Sequence, residues 1–199
     1  MTMTHTSTPH HESPDTVGRR DRMGVMLLIF ADLAFVLSLV FTWFYLRTQN
    51  TNNHWIPDDV TTASQSEGWT VTGVAIVSSA LAYLGLRAIR KNSQSQLLGF
   101  FTLAFVTIVL DLVLQLRALQ HFPFHMSNGT YASTMIALAG ANVFHLALTC
   151  FLGLGMVNRI RQHRYSSEDH FHVLIVTYWW IWVSTAAVIT SLTTMATHA

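Results

Sequence analysis

Five runs of apolar residues, each long enough to cross a bilayer as a helix, decide what this 199-residue chain can fold into. A hydrocarbon core of about 30 Å needs about 20 consecutive apolar residues when the backbone rises 1.5 Å per residue. The runs cover about 23–46, 69–86, 97–119, 133–157 and 173–195. In lipid every backbone N–H and C=O must be satisfied within its own segment, so runs of this length are helices; a barrel would show short alternating strands. Composition agrees: 51% of residues are hydrophobic and 11% charged, where a soluble domain carries about 25% charged residues. The expected architecture is all-α, a polytopic bundle of five transmembrane helices forming one membrane domain over 23–199. Residues 1–22, rich in Thr, His, Ser and Pro, are expected to be a disordered cytoplasmic tail.

Charge placement sets the expected sidedness, because Lys and Arg near span ends stay cytoplasmic. Arg19, Arg20 and Arg22 precede the first span, Arg87, Arg90 and Lys91 follow the second, and Arg159, Arg161 and Arg164 follow the fourth. Those are nine of the eleven basic residues; Arg47 and Arg117 lie at the other ends. The N-terminus is therefore expected inside and the C-terminus outside. Trp43, Tyr45, Trp55 and Trp69 are placed to form an outer interfacial belt. Small residues four apart, Ala75 and Ser79, Ser78 and Ala82, Ala137 and Ala141, suit close helix packing. No basic strip interleaved with aromatics exists for nucleic acid.

Chemistry must come from the few polar side chains inside the spans: Asp32, Asp111 and His145, with Asn142 and Gln115 beside them. A charged group at mid-helix costs about 2.5–3.5 kcal/mol, so each is a candidate for a polar interior, a proton path or a lipid cleft. The competing reading is hydrogen-bonded glue between helices, worth about 0.6 kcal/mol per bond. Asn142 and His145, three apart, share a face of one helix. His145 is alone at membrane depth, and a bis-histidine haem needs two imidazoles there. His121 and His125 flank Phe-Pro-Phe at an outer connection, and His5, His10, His11, His170 and His172 read as solvated. The single Cys150 excludes an internal disulfide and any CxxC site. Neither a nucleophile elbow nor a phosphate loop occurs. The expectation is no catalytic residue and no metal ligand in this chain, which points to a subunit serving another chain's chemistry.

The order, length and sidedness of the spans over Met23 to Ser191 resemble subunit III of haem–copper terminal oxidases, in the short five-helix form found in bacterial cytochrome c and quinol oxidases. That family carries Ser-Glu or Ser-Asp in its first span, where this chain reads Phe30-Ala31-Asp32-Leu33-Ala34-Phe35. Arg90-Lys91-Asn92-Ser93-Gln94-Ser95-Gln96 is similar to the cytoplasmic connection of quinol-oxidase members. Of the family's Gly-x-His-Gly-x-His the chain keeps Gly140 and His145. Where the last span usually reads Tyr-Trp-His-Phe-x-Asp, it has Tyr178-Trp179-Trp180-Ile181-Trp182-Val183. The carboxylates of the family's third span fall on Gln115 and Ala118.

The resemblance implies a non-catalytic subunit in a bacterial inner membrane, beside subunits I and II, with haem and copper in subunit I and no cofactor of its own. It also implies phospholipid in a cleft between the first two helices and the others, and support of stability and proton uptake during oxygen reduction. Asp32 and His145 would then organise the interior near that cleft, and Arg87, Arg90 or Lys91 would meet headgroups. Two alternatives remain open at this point: an accessory subunit of a nitric-oxide reductase system, and a small transporter relaying protons through Asp32, Asp111 and His145.

Overall fold

A computed structural model describes residues 14–50, 55–58 and 60–195. It is all-helical: α1 (Pro14–Thr48), α2 (Gln65–Arg90), α3 (Gln94–Gln120), α4 (Thr130–Arg161) and α5 (Phe171–Met195), with a 3-10 turn at Met126–Asn128. All five are long and apolar enough to cross a membrane.

Every helix outruns its apolar run, because polar turns at a helix end suit the helix dipole and project past the hydrocarbon. Arg87 and Arg90 close α2, and Arg159 and Arg161 close α4. At the start of α2 the Ser64 hydroxyl accepts the Glu67 amide at 3.4 Å, an N-cap that moves the helix start back to Gln65. The largest difference from expectation is at α1. Residues 14–22, read as tail, are helical, and Pro14 opens the helix where a fixed φ and a missing N–H cost nothing. The remainder of that expected tail lies outside the described residues.

The helices alternate in direction, so the start of α1, the α2–α3 link and the α4–α5 link meet at one end. There the Gln94 side-chain amide donates to the Tyr165 carbonyl, and the Arg22 guanidinium lies 5.8 Å from the centre of the Phe171 ring. This basic end gathers the nine cations named above. At the opposite end Trp43, Trp55, Phe124 and Tyr131 pack ring against ring, Trp43 edge-on to Trp55 at 5.4 Å. Trp43 is fully buried there, which corrects its expected place in a lipid-facing belt: it lies on the face of α1 turned to Tyr131 of α4. Tyr45 and Trp69 are exposed. Gly129, at φ +109°, joins the 3-10 turn to α4 in a conformation that a side chain would strain.

α5 is central, packed against α1, α2 and α4; α3 bridges α2 and α4, and α1 also lies along α4. α1 approaches neither α2 nor α3. The first two helices therefore stand on different flanks of α5 and do not form one arm of a cleft. Among the described residues their backbones make no close approach.

Small residues let α2 come close to its neighbours. Ala75, Ser78, Ser79 and Ala82 are all buried, as expected from their spacing. Ala137 is exposed, so the Ala137–Ala141 pair does not make such an interface. A Cβ added at Gly85 would meet the Phe101 ring at 2.6 Å, and one at Gly153 would meet Trp180 at 2.8 Å and Phe105 at 2.9 Å. Hydroxyls lace α2 to α5: Ser79 and Ser184 lie 3.0 Å apart, Thr72 and Ser191 2.6 Å.

Three tryptophans of α5 then tie the bundle at one level. Trp179 donates its indole N–H to Thr149 Oγ1 of α4 at 3.0 Å, Trp180 to Ser78 Oγ of α2 at 2.9 Å, and Trp182 to Asp32 Oδ2 of α1 at 2.6 Å. Successive residues turn by about 100°, so neighbours along one helix turn reach different partner helices. Ser78 in turn donates to the Ala104 carbonyl of α3 at 2.8 Å. One turn of α5 is thereby connected to all four other helices.

Candidate functional site

The intramembrane polar residues separate into three places. The first is an acid–imidazole pair. His145 Nε2 stands 3.0 Å from Oδ1 and 2.9 Å from Oδ2 of Asp32, and the Trp182 indole donates to Oδ2. A carboxylate offers only acceptors, so the hydrogen on the imidazole is assigned to Nε2. The side chain of His145 is 2% exposed and that of Asp32 15% exposed. His145 also stands edge-on to Trp179, ring centres 6.3 Å apart. Two donors on one carboxylate, in surroundings of low dielectric, form a strong network that binds α1 to α4 and α5. His145 Nδ1 is buried with no partner among the described residues.

The second place is a cleft of mixed polar and apolar lining between α2, α3, α4 and α5, at the end opposite the basic one and about 80 Å³ in volume. Its wall includes Glu67, Thr72, Gln115, Asn142, Thr190 and Ser191. Gln115 and Asn142 thus lie here and not beside Asp32. Three residues along a helix is about 300° of rotation, which leaves Asn142 some 60° from His145, enough to face another compartment. Asp111, one turn from Gln115 on α3, is completely buried, and neither carboxyl oxygen has a partner among the described residues. The structure does not bring it to the Asp32–His145 pair.

The third place is an apolar groove at the basic end between the last part of α4 and the first part of α5, about 730 Å³. Phe151, Leu154, Val157 and Ile175 line it, and Arg159, Arg161 and His172 stand at its rim. Sequence reasoning placed headgroups on Arg87, Arg90 and Lys91, which are exposed on the α2–α3 side and do not line this groove. The usable signal was Phe151 and Leu154, exposed and three apart in α4, followed by Arg159 and Arg161. His172 is exposed in the first turn of α5, whereas the Nδ1 of His170 is buried. His121 and His125 are both exposed beyond the end of α3. His5, His10 and His11 lie outside the described residues. No three His, Cys, Asp or Glu side chains gather into a metal-sized group among the described residues.

No family model matches this chain. Similarity to individual proteins is clear. The chain is 26% identical over 182 residues to cytochrome c oxidase subunit 3 of Gadus morhua, a match covering 87% of this chain and 67% of that protein. The subunits 3 of Pan troglodytes and Homo sapiens are each 24% identical over 182 residues, with the same shares covered. The chain is related to this subunit through nearly its whole membrane part.

Proposed function

We propose that this relative of cytochrome c oxidase subunit 3 serves as subunit III of a haem–copper respiratory oxidase in a bacterial inner membrane, with its basic end cytoplasmic. The observation that carries the reading is the Asp32–His145 pair. Asp32 and His145 are the two intramembrane positions at which the chain retains the polar landmarks of the resemblance, and they meet across α1 and α4. The chain acts beside a catalytic subunit I, with subunit II, and brings no haem or copper of its own. It stabilises subunit I and supports proton uptake during turnover, with Asp32 and His145 holding α1 in place.

Phospholipid binding is supported here by the basic-end groove of α4 and α5 and not by a cleft between the first two helices and the others. Acyl chains would lie along Phe151, Leu154, Val157 and Ile175, and an anionic headgroup would meet Arg159 and Arg161. Extraction of the tagged chain in a mild detergent tests the reading. It should bring down partners whose absorption spectrum shows haem of an oxygen-reducing centre, and R159Q/R161Q should lower the phospholipid retained and shorten the lifetime of turnover. A copurifying partner holding haem with non-haem iron would replace this reading by the nitric-oxide reductase one. Conduction of protons by the chain alone in liposomes would replace it by a transporter.

A further inference from the structure

We propose that the cleft between α2, α3, α4 and α5 is a water-filled vestibule, open only at the end opposite the basic one, through which Asp111 exchanges its proton with solvent. The inference stands on this chain's own side chains and does not depend on the oxidase reading.

The wall of the cleft mixes apolar side chains such as Met135 and Leu138 and hydroxyls bonded within the protein with two amides that find no partner among the described residues. Gln115 is buried to 8% exposure and Asn142 half-buried; both line the cleft at membrane depth, and neither side chain makes a hydrogen bond among the described residues. An amide carried into an apolar medium without partners costs on the order of 2–7 kcal/mol. A polar and roomy site supplies those partners from water, which needs two to four polar groups around it and a volume of at least about 10–15 Å³. The cleft, at about 80 Å³, has both. The hydroxyls of Thr72 and Ser191, 2.6 Å apart, add acceptors on the α2 and α5 walls.

Asp111 lies one turn below Gln115 on the same face of α3, about 6 Å nearer the middle of the bundle. Both of its oxygens are unpaired. Gln115 is the cleft-lining residue one turn from the carboxyl, and in the proposed route water held at its amide is what reaches Asp111. The titratable groups near this path are Glu67 of α2 at the mouth, Arg117 and His121 of α3 in the adjoining depression that shares Glu67 and Ala118, and Tyr131 and Cys150 of α4. α5 contributes only hydroxyls, Thr190, Ser191 and Thr194. The side chain of His145 turns to Asp32 on the other flank of α4. Toward the basic end from Asp111, α3 carries Ile108 and Ala104, buried in one apolar core with Leu146 and Trp180. Access is therefore one-sided.

Cysteine accessibility tests the route and infrared spectroscopy its end point, both with the full chain in native membrane vesicles of either orientation. In a Cys150→Ser background, Gln115→Cys and Asn142→Cys should react with a charged, membrane-impermeant thiol reagent applied to the side bearing Glu67. Their rates should stand about tenfold or more above Val113→Cys, which faces outward at the depth of Asp111, since a charged reagent is excluded from hydrocarbon. Reaction only from the basic side, or no reaction while Gln65→Cys at the mouth reacts, overturns the vestibule. On acidification the wild-type chain should show a carboxyl band that shifts within minutes of transfer to D2O and is missing from Asp111→Asn. Absence of that band, or a band that does not exchange, overturns the proton site even where a cysteine variant fails to fold.

Discussion

Replacing Asp32 by alanine should unfasten α1, and the size of the effect follows from the groups left behind. In the wild type one carboxylate accepts from His145 Nε2 and from the Trp182 indole. Alanine leaves both donors without an acceptor, in side chains that are almost wholly buried. Each orphaned donor costs about 1–3 kcal/mol, an upper range of about 2–6 kcal/mol for the pair. Coupling between hydrogen-bonded residues inside membranes averages about 0.6 kcal/mol per bond, a lower figure of about 1.2 kcal/mol, because separated helices find other partners in lipid. The penalty for holding a carboxylate in hydrocarbon is present in both states when the helices stay inserted, and so largely cancels. Asp32→Ala should therefore lose about 1–4 kcal/mol. Asp32→Asn, which keeps one acceptor oxygen, and Trp182→Phe, which removes one donor, should lose about half as much. The assay is reversible unfolding of the full chain in mixed micelles titrated with SDS and followed by circular dichroism. A double-mutant cycle with His145→Ala isolates the pair, since the joint loss should fall short of the sum of the single losses. A coupling below about 0.3 kcal/mol, or an Asp32→Ala loss no larger than that of Trp182→Phe, would refute the reasoning.

Gly153→Ala should destabilise by about 1–3 kcal/mol through overpacking, as its Cβ would lie 2.8 Å from Trp180 and 2.9 Å from Phe105, with Trp180 held by Ser78. An unchanged unfolding midpoint would contradict that packing. Ser78→Ala strips the Trp180 indole of its acceptor in a fully buried place and should lose about 1–3 kcal/mol; equal stability of S78A and wild type by SDS titration would show the bond to be dispensable. In the α4–α5 link, burial raises the Tyr165 phenol above its ordinary 10.0, although neighbouring Arg159 draws it down. The unfolded phenol ionises first, so the contribution of Tyr165 is complete below pH 10.0 and is lost as pH rises through the higher folded value. Tyr165→Phe should remove that alkaline loss from the stability profile, and a profile of unchanged slope would count against it.

The spans were legible because hydrocarbon demands long apolar runs, whatever the helices pack against. Their ends were not, since Arg159, Arg161 and the residues of 14–22 continue a helix for reasons of dipole and backbone that hydropathy does not register. Asp32 and His145 stood out singly as costly residues; that they meet depends on α1 lying along α4, a contact with no local signature. Trp179, Trp180 and Trp182 registered only as replacements in the last-span pattern of the resemblance, because an indole's apolar bulk hides its one directional group. Asn142 was grouped with His145 by helical spacing, yet a rotation of about 60° suffices to put it in another compartment. Arg87, Arg90 and Lys91 could be named as cations from the sequence, whereas the groove beside Arg159 and Arg161 exists only where helices diverge.

The tryptophans of α5 give the molecule a waist. Trp180 lies nine residues from the start of α5 at Phe171 and fifteen from its end at Met195, arms of about 14 and 22 Å. A tilt of about 5° about that fulcrum moves the helix tips by about 1–2 Å while scarcely lengthening the bonds at the pivot. Tethered in this way, the bundle can splay at either mouth without surrendering its clasp, and the apolar groove and the Gln115 cleft lie on opposite sides of it.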